Sequence, residues 1–170
     1  MEKEEEQHLV RRARSGDREA LRLLWDAITP KLYGYLVNTV HDKGIADDLL
    51  QQTWLAVITH LHQYTPGRAR FSAWLFAIAR NECRQHWRKR TDVPLDVLEQ
   101  DDVPRMASPD HATIDLERIL QTLSEDDREL LRLRYIADLS FADLARILSI
   151  STIAARVRVH RALARARNNL

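Results

Sequence analysis

Residues 140–167 have the pattern of a helix-turn-helix, which constrains the fold more than any other part of the chain. Ser140, with Asp143 three residues later, forms a capping box that predicts the start of a first helix. The segment from Ser149 to Ser151 supplies the turn before a second helix. One side of that second helix is apolar at helical spacing and carries Ala155, Val159, Ala162, Leu163 and Ala166. Because two helices joined by a short turn cannot bury an apolar side alone, a small helical domain is predicted here.

Helical periodicity also runs through the rest of the chain, with turn residues between the segments. Asp17 is expected to cap the second helix and Pro30 to end it, and a further capping box, Ser124 with Asp127, opens a later helix. The predicted helices cover residues 9–13, 17–28, 32–40, 45–61, 72–90, 114–123 and 124–136. Since the chain also has only 4 Gly and 5 Pro, an all-α fold is predicted.

Charge divides the chain into three parts, although the net charge is only +1. Residues 1–90 hold 15 Lys and Arg against 11 Asp and Glu, residues 91–117 hold 1 against 8, and residues 118–170 hold 10 against 6. The middle segment contains three prolines and no sustained period, which is typical of a flexible linker. We therefore predict two small helical domains, 1–91 and 118–170, joined by an acidic flexible linker at 92–117. A further possibility is that the linker competes with nucleic acid for the basic surfaces.

Several classes of protein are not supported by the sequence. No run approaches the length of a membrane span and the acidic N-terminus lacks an apolar signal core, so a cytoplasmic protein without direct membrane insertion is expected. Cys83 is the only cysteine, and His60 and His62 point to different sides of a helix, so no metal site is predicted. Cations near Cys83 could lower the pKa of its thiol for redox sensing, although a plain small side chain is the simpler interpretation. No catalytic motif is present, so we predict neither an enzyme nor a cofactor nor a small-molecule substrate.

The helix predicted at 72–90 has two different sides. The side expected in the core carries Trp74, Leu75, Ile78 and Ala79, and the opposite side carries Arg80, Arg84, Trp87 and Arg88. An exposed tryptophan among arginines suits unpaired nucleic acid, because the ring stacks on bases while the cations hold phosphates. The preceding loop adds Arg68, Arg70 and Phe71 and could hold a base pulled out of the duplex. The alternative is that Trp87 packs on a neighbouring helix and the arginines only hydrate the surface.

The terminal helix is strongly basic, because no acidic residue follows Asp143. A helix that carries several cationic side chains and no acidic ones is most simply explained by a polyanionic partner. The outward side carries Arg158, Arg161 and Arg165 together with the apolar Ile153, Val157 and Ala164. The apolar strip could contact thymine methyl groups in a major groove or, alternatively, a protein partner. A solvated basic helix that binds nothing is the remaining alternative.

Three motifs in order resemble the extracytoplasmic-function sigma factors of bacterial RNA polymerase. Residues 45–57, IADDLLQQTWLAV, are similar to the family's AEDLVQETF helix. Residues 66–90 resemble its F-x-x-WL-x-x-IARN segment. Residues 123–151 resemble the family segment that begins with LP-x-x-x-R and ends with EIA-x-x-L-x-IS. The resemblance covers nearly the whole chain.

The resemblance implies a role for each group of residues. The family's first domain grips the clamp of core polymerase through positions matched by Asp48, Leu49, Gln51 and Gln52. It melts the minus-ten promoter element through a loop and helix whose expected contacts here are Arg68, Arg70, Phe71, Trp74, Arg80, Asn81, Arg84, Trp87 and Arg88. The second domain docks on the polymerase flap and binds the minus-thirty-five element as duplex, with expected contacts at Ser140, Arg156, Val157, Arg158, His160, Arg161 and Arg165. The family's usual inhibitor is an anti-sigma factor that covers these surfaces.

The chain departs from the family pattern in two places. Ile153 and Ala154 replace a Gly-Thr pair at the start of the terminal helix, and Val157 replaces a serine, which bears on base preference. Gln52 replaces the usual glutamate and removes one charge from the clamp motif. The leading hypothesis is a non-catalytic sigma subunit that brings core polymerase to specific promoters. The alternatives are a sigma-like decoy that titrates an anti-sigma factor and a stand-alone helix-turn-helix regulator.

Overall fold

A computed structural model of the chain describes residues 2–67, 69–91 and 123–168. Its α-helices are α1 (Lys3–Arg14), α2 (Arg18–Val40), α3 (Lys43–His60), α4 (Phe71–Thr91), α5 (Glu125–Leu131), α6 (Phe141–Ile147) and α7 (Thr152–Asn168). A 3-10 turn at Leu61–Gln63 follows α3, and a π-helical turn at Arg132–Ile136 continues α5. Within these ranges no β-strand forms, which confirms the all-α prediction. The acidic linker and, apart from Leu123, the helix predicted at 114–123 lie outside the described residues.

The first four helices pack around one apolar core in which α2 is central, since it contacts α1, α3 and α4. The largest fully buried side chains in this domain include Leu24, Leu32, Tyr35, Leu36, Trp54, Phe71, Leu75 and Phe76. The indole nitrogen of Trp54 donates to Thr29 Oγ1 at 3.1 Å, so its polar atom is satisfied inside the core. This packing fixes one side of α4 against α2 and α3.

Pro30 lies inside α2 and does not end it, so the break predicted there is wrong. A proline in a helix interior costs about 3 kcal/mol, because it removes one hydrogen bond and crowds the preceding turn. Ile28 and Leu32 on either side are buried in the core, and each buried side chain contributes about 1.5–3 kcal/mol. Pro30 itself and Asp26, whose carbonyl loses its partner, are exposed and accessible to water. Tertiary burial therefore outweighs the local penalty.

The predicted helix starts are confirmed by side-chain caps. Asp17 Oδ1 accepts from the backbone N–H of Glu19 and Ala20, and Ser124 Oγ accepts from Asp127 N at 3.3 Å. The connection between the helices predicted at 32–40 and 45–61 is only two residues long, since His41 takes a left-handed conformation (φ 56°) and α3 begins at Lys43. Caps of this kind satisfy the otherwise unpaired N–H groups of a first helical turn.

The C-terminal domain contains the predicted helix-turn-helix. Ser140 caps α6, and its hydroxyl also donates to Asp143 Oδ2 at 2.6 Å. The turn places Ser149 at φ 54° and lets Ser151 Oγ accept from Ala154 N at 3.0 Å, so α7 begins where predicted. The buried core of this domain includes Leu130, Leu133, Leu144, Ala155, Val159 and Ala162.

The two domains are packed against each other. α2 contacts the π-helical turn, and α4 contacts α6. Gly34 allows the π-helical turn to approach α2 closely, because a Cβ at position 34 would lie 3.2 Å from Ile136 Cγ2. Ion pairs between described residues cross the interface: Lys31 Nζ lies 2.8 Å from Asp138 Oδ2, and Arg80 Nε lies 2.8 Å from Glu129 Oε1.

Candidate nucleic-acid interface

The loop before α4 is held by aromatic packing and a backbone hydrogen bond. Tyr64 is buried, and its hydroxyl donates to the carbonyl of Ala69 at 2.7 Å. Gly67 adopts φ 94°, a left-handed conformation that favours glycine and allows the chain to turn back here. The Tyr64 ring also packs on Phe71 and Trp74, with ring centroids 5.5 and 5.4 Å apart. These contacts hold Tyr64, Ala69, Phe71 and Trp74 together at the base of the loop.

Two aromatic residues predicted to contact DNA support the loop from inside. Phe71 is fully buried and Trp74 is half-buried against Tyr64 and Phe71. Arg70 is partly buried, with its side chain 29% exposed. The side chain of Arg68 lies outside the described residues. Arg70 lies in a cleft that is also lined by Glu6 and Asp138, while Phe71 is buried at the base of the loop.

The outer side of α4 presents the predicted aromatic and basic residues. Asn81, Arg84, Trp87 and Arg88 are exposed, with Trp87 at 43%. The Trp87 ring lies 5.5 Å from that of His86, and the rest of its side chain lines a cleft that residues of the second domain also line. Leu75 and Ala79 on the opposite side are buried as predicted. The side chains on this surface have the composition that suits a single strand.

Arg80 differs from its neighbours, because it is engaged by the second domain. Its guanidinium donates to both carboxylate oxygens of Glu129, at 2.8 and 3.0 Å, and both side chains are about one-fifth exposed. This bidentate hydrogen bonding to Glu129 raises the pKa of the Arg80 guanidinium. The pair closes one side of a cleft lined by Arg84 and Trp87 from α4 and by Glu125 and Asp126 from the second domain. In this closed form, Glu125 and Asp126 face the basic surface of α4 together with Arg128, which lies 3.2 Å from Glu125 Oε2.

Cys83 lies beneath this surface, and its thiol is not activated. Its side chain is 3% exposed, and burial, with a smaller contribution from the charge of Glu129, raises the pKa of the thiol to about 12. The alternative in which nearby cations lower the pKa of this thiol is therefore not supported, because desolvation dominates. Cys83 is a buried core side chain, as in the simpler of the two interpretations.

The outward side of α7 is basic and partly apolar, as predicted. Arg156, Arg158, His160 and Arg161 are exposed, and so are Ile153 at 77% and Val157 at 40%. Arg156 also lies over the Phe141 ring, with its guanidinium carbon 5.3 Å from the centroid. Together these side chains form a basic and partly apolar surface on one α-helix, the type of element that a major groove admits.

Two of the residues predicted for this surface have structural partners. Arg165 donates to Asp127 Oδ2 at 2.6 and 2.9 Å and so ties α7 to α5. Ser140 uses its hydroxyl to cap α6 and to bond Asp143. Contacts with a ligand would therefore have to compete with, or add to, these hydrogen bonds.

The motif on α3 is split between the surface and the core. Asp48, Gln51 and Gln52 are exposed, whereas Leu49 is 2% exposed and packs inside the domain. The exposed part continues along α3 through Leu55 at 67% and Ile58 at 47%, which sequence reasoning did not include. Helical spacing offers the signal for Leu55, because it lies four residues after Gln51 and thus on the same side.

No described helix has both the length and the apolar character needed to cross a membrane. Among residues 2–67, 69–91 and 123–168, no group of three or more His, Cys, Asp or Glu side chains could hold a metal ion.

Comparisons with known proteins match both domains. Residues 24–93 match the family described as Sigma-70 region 2, and residues 113–165 match Sigma-70, region 4. The chain is 35% identical over 157 residues to the RNA polymerase sigma factor CarQ of Myxococcus xanthus, covering 89% of this chain and 90% of CarQ. It is 32% identical over 174 residues to the ECF RNA polymerase sigma factor SigD of Mycobacterium tuberculosis, covering 95% of this chain and 82% of SigD.

Two solved structures share the arrangement of helices. CnrH, in complex with the cytosolic domain of CnrY, superposes with a TM-score of 0.73 over 96% of each chain at 25% identity. The sigma factor RpoE, in complex with the anti-sigma factor NepR from Bartonella quintana, superposes with a TM-score of 0.67 over 88% of this chain and 95% of RpoE, also at 25% identity.

Proposed function

The chain belongs to the extracytoplasmic-function sigma factors of bacterial RNA polymerase, and from this premise we propose how its surfaces divide the work of promoter recognition. As a sigma factor it directs core polymerase to specific promoters and starts transcription. In this proposal the chain consists of a first domain at residues 1–91, a linker at 92–117 and a second domain at 118–170, and each domain binds a different promoter element.

The first domain binds the minus-ten element as a single strand. The observation that carries this assignment is the exposed Trp87 among Arg84, Arg88 and Asn81 on α4. An indole ring stacks on any unpaired base, and neighbouring cations neutralise the phosphates. The remaining contacts assigned here are Arg68, Arg70 and Arg80, while Phe71 and Trp74 shape the loop.

The second domain binds the minus-thirty-five element as duplex through α7. Arg156, Arg158, His160 and Arg161 supply phosphate or base contacts, and Val157 faces the groove between them. Ser140 and Arg165 stand at the edge of this surface, where their structural hydrogen bonds fix α6 and α7.

Core polymerase binds both domains. The exposed Asp48, Gln51 and Gln52 meet the clamp, with Leu49 supporting the helix from inside and Leu55 extending the contact. The second domain docks on the flap. The protein acts with the polymerase in the cytoplasm, as a non-catalytic subunit without a cofactor.

An anti-sigma factor regulates the protein. This proposal is supported by RpoE, which shares the fold in a complex with the anti-sigma factor NepR. It is also supported by the closed packing, because a partner that stabilises the closed form would keep Arg80 paired with Glu129. The surface of α4 would then stay turned towards acidic side chains.

Reconstituted transcription tests the proposed function. Purified core polymerase with this protein should produce transcripts from a small set of promoters, with unpaired bases around the minus-ten element. A decoy that only titrates an anti-sigma factor would bind that factor without promoter melting. A stand-alone regulator would bind duplex tightly without polymerase, and failure to bind core polymerase would contradict the proposal.

A further inference from the structure

A buried carboxylate lies beneath the loop that precedes α4. Glu6 on α1 is 1% exposed and shares the inner side of its helix with Leu9, Val10 and Ala13. A buried charge is costly unless it is paired and hydrogen-bonded. Its partners therefore indicate what the carboxylate does at a position where an apolar residue would pack more simply.

The two oxygens of Glu6 reach two different parts of the candidate interface. Oε1 accepts from the backbone N–H of Ser72 at 3.2 Å, and Oε2 lies 3.5 Å from Arg70 Nη2. Ser72 belongs to the first turn of α4, where unpaired N–H groups and the helix dipole favour an anion. One carboxylate therefore anchors both the start of α4 and the last cation of the loop.

Tyr64 and Ala69 in the loop are joined by a hydrogen bond in which Glu6 takes no part. Tyr64 bonds the Ala69 carbonyl, and burial, followed by the charge of Glu6, raises the pKa of the Tyr64 hydroxyl to about 12. The hydroxyl therefore remains a donor across the physiological range. Among the loop side chains described, Arg70 is the one whose charge Glu6 contacts directly, with Oε2 3.5 Å from Nη2.

We propose that Glu6 is a positioning residue for promoter melting, which holds Arg70 ready to bind a phosphate of the unpaired minus-ten strand. The planar guanidinium carries five donors, so it can face Glu6 with one edge and a phosphate with another. A cation already held in its bound orientation loses less conformational freedom on binding. The inference rests on the proposed role of this loop. It extends the minus-ten apparatus to α1, which lies before residue 24, where the match to Sigma-70 region 2 begins.

Substitution Glu6→Gln separates the two tasks of the carboxylate. Glutamine keeps the size of the side chain and an oxygen that accepts from Ser72 N, but it removes the charge that holds Arg70. The test uses reconstituted holoenzyme and a fluorescein-labelled single-stranded oligonucleotide that carries the minus-ten element of a mapped promoter. We expect Glu6→Gln holoenzyme to bind this strand about tenfold more weakly, the scale of one charge-assisted hydrogen bond.

The matched control is Glu5→Gln, since Glu5 is an exposed carboxylate on the same helix. It removes the same charge and should leave strand binding unchanged. Thermal unfolding and core-polymerase binding of Glu6→Gln should match the wild type, and Glu6→Ala provides a comparison in which both contacts are lost. Unchanged or tighter strand binding by a folded Glu6→Gln holoenzyme would overturn the inference.

A double-mutant cycle distinguishes positioning from general stability. If Glu6 acts through Arg70, then Glu6→Gln should have no further effect on strand binding in an Arg70→Gln background. Equal effects of Glu6→Gln in both backgrounds would overturn the inference. If the wild-type holoenzyme itself fails to bind the strand, the proposed role of the first domain fails, which is a separate outcome.

Discussion

At the scale of single residues, burial decides between interpretations that spacing leaves open. The sequence places Cys83 beside Arg80 and Arg84, which suggested an activated thiol, yet the side chain points into the core. Leu49 likewise belongs to a surface motif by sequence, but it faces inward. Glu6 carried a usable signal, since it lies three, four and seven residues before Leu9, Val10 and Ala13. Its partners, Arg70 and Ser72, are too distant in sequence to be predicted.

The buried thiol of Cys83 should react slowly with iodoacetamide. Because its pKa is raised to about 12, little thiolate exists at mildly alkaline pH, and only the thiolate is nucleophilic. We expect alkylation of the native protein to be roughly a hundredfold slower than that of the protein unfolded in guanidinium. Mass spectrometry over time measures both rates. Comparable rates would show that Cys83 is accessible and activated.

Arg158 and Arg161 should each contribute one phosphate contact. Replacing either with alanine should weaken duplex binding and lower the slope of log affinity against log salt by about one. Titration of holoenzyme with a minus-thirty-five duplex at several salt concentrations measures the slope. Arg11→Ala, an exposed arginine on α1, is the control and should leave it unchanged. The same slope in Arg158→Ala and in the wild type would show that Arg158 does not contact a phosphate.

At the scale of helices, local sequence signals predict where a helix starts but not whether it continues past a residue such as proline. Asp17, Ser124 and Ser140 cap helices because their partners lie within three residues, so spacing alone identifies them. The continuation of α2 through Pro30 depends on burial of Ile28 and Leu32 against other helices, which no local pattern contains. The start of α7 was predictable for the same reason as the caps.

Loss of the cap at Ser140 should lower the free energy of unfolding more than loss of the cap at Ser124. Ser140→Ala removes a cap, at about 1 kcal/mol, and also leaves the 1% exposed Asp143 without its hydroxyl partner. We expect a loss of about 2 kcal/mol in the free energy of unfolding, against about 1 kcal/mol for Ser124→Ala. Urea unfolding followed by circular dichroism compares the two variants. Equal losses would mean that the Ser140–Asp143 hydrogen bond adds nothing.

At the scale of the whole molecule, the two domains and their order follow from sequence, but their packing does not. Charge segregation and motif order predict two basic domains. The contact between them depends on pairs such as Arg80 with Glu129 and Lys31 with Asp138, which are far apart in the chain. The result is a closed arrangement in which the proposed minus-ten surface on α4 faces Glu125, Asp126 and Arg128 of the second domain.

Breaking the Arg80–Glu129 pair should open this arrangement. Glu129→Gln frees Arg80 and removes the charge that competes with phosphate, so the free protein should bind a minus-ten single strand more tightly, by about tenfold. Asp126→Asn is the matched control, because Asp126 lines the same cleft and is exposed. Fluorescence anisotropy without polymerase measures both variants. Equal gains would indicate a general charge effect and not release of a specific contact.

The central claim is that one domain melts the minus-ten element while the other holds the minus-thirty-five duplex. Permanganate footprinting combined with DNase protection on a mapped promoter tests it most directly, with wild-type and Trp87→Ala holoenzymes. Stacking on one aromatic ring contributes about 1–3 kcal/mol per base. Trp87→Ala should therefore lose most thymine reactivity in the minus-ten region while protection of the minus-thirty-five element persists. Loss of both signals together, or of neither, would contradict the claim.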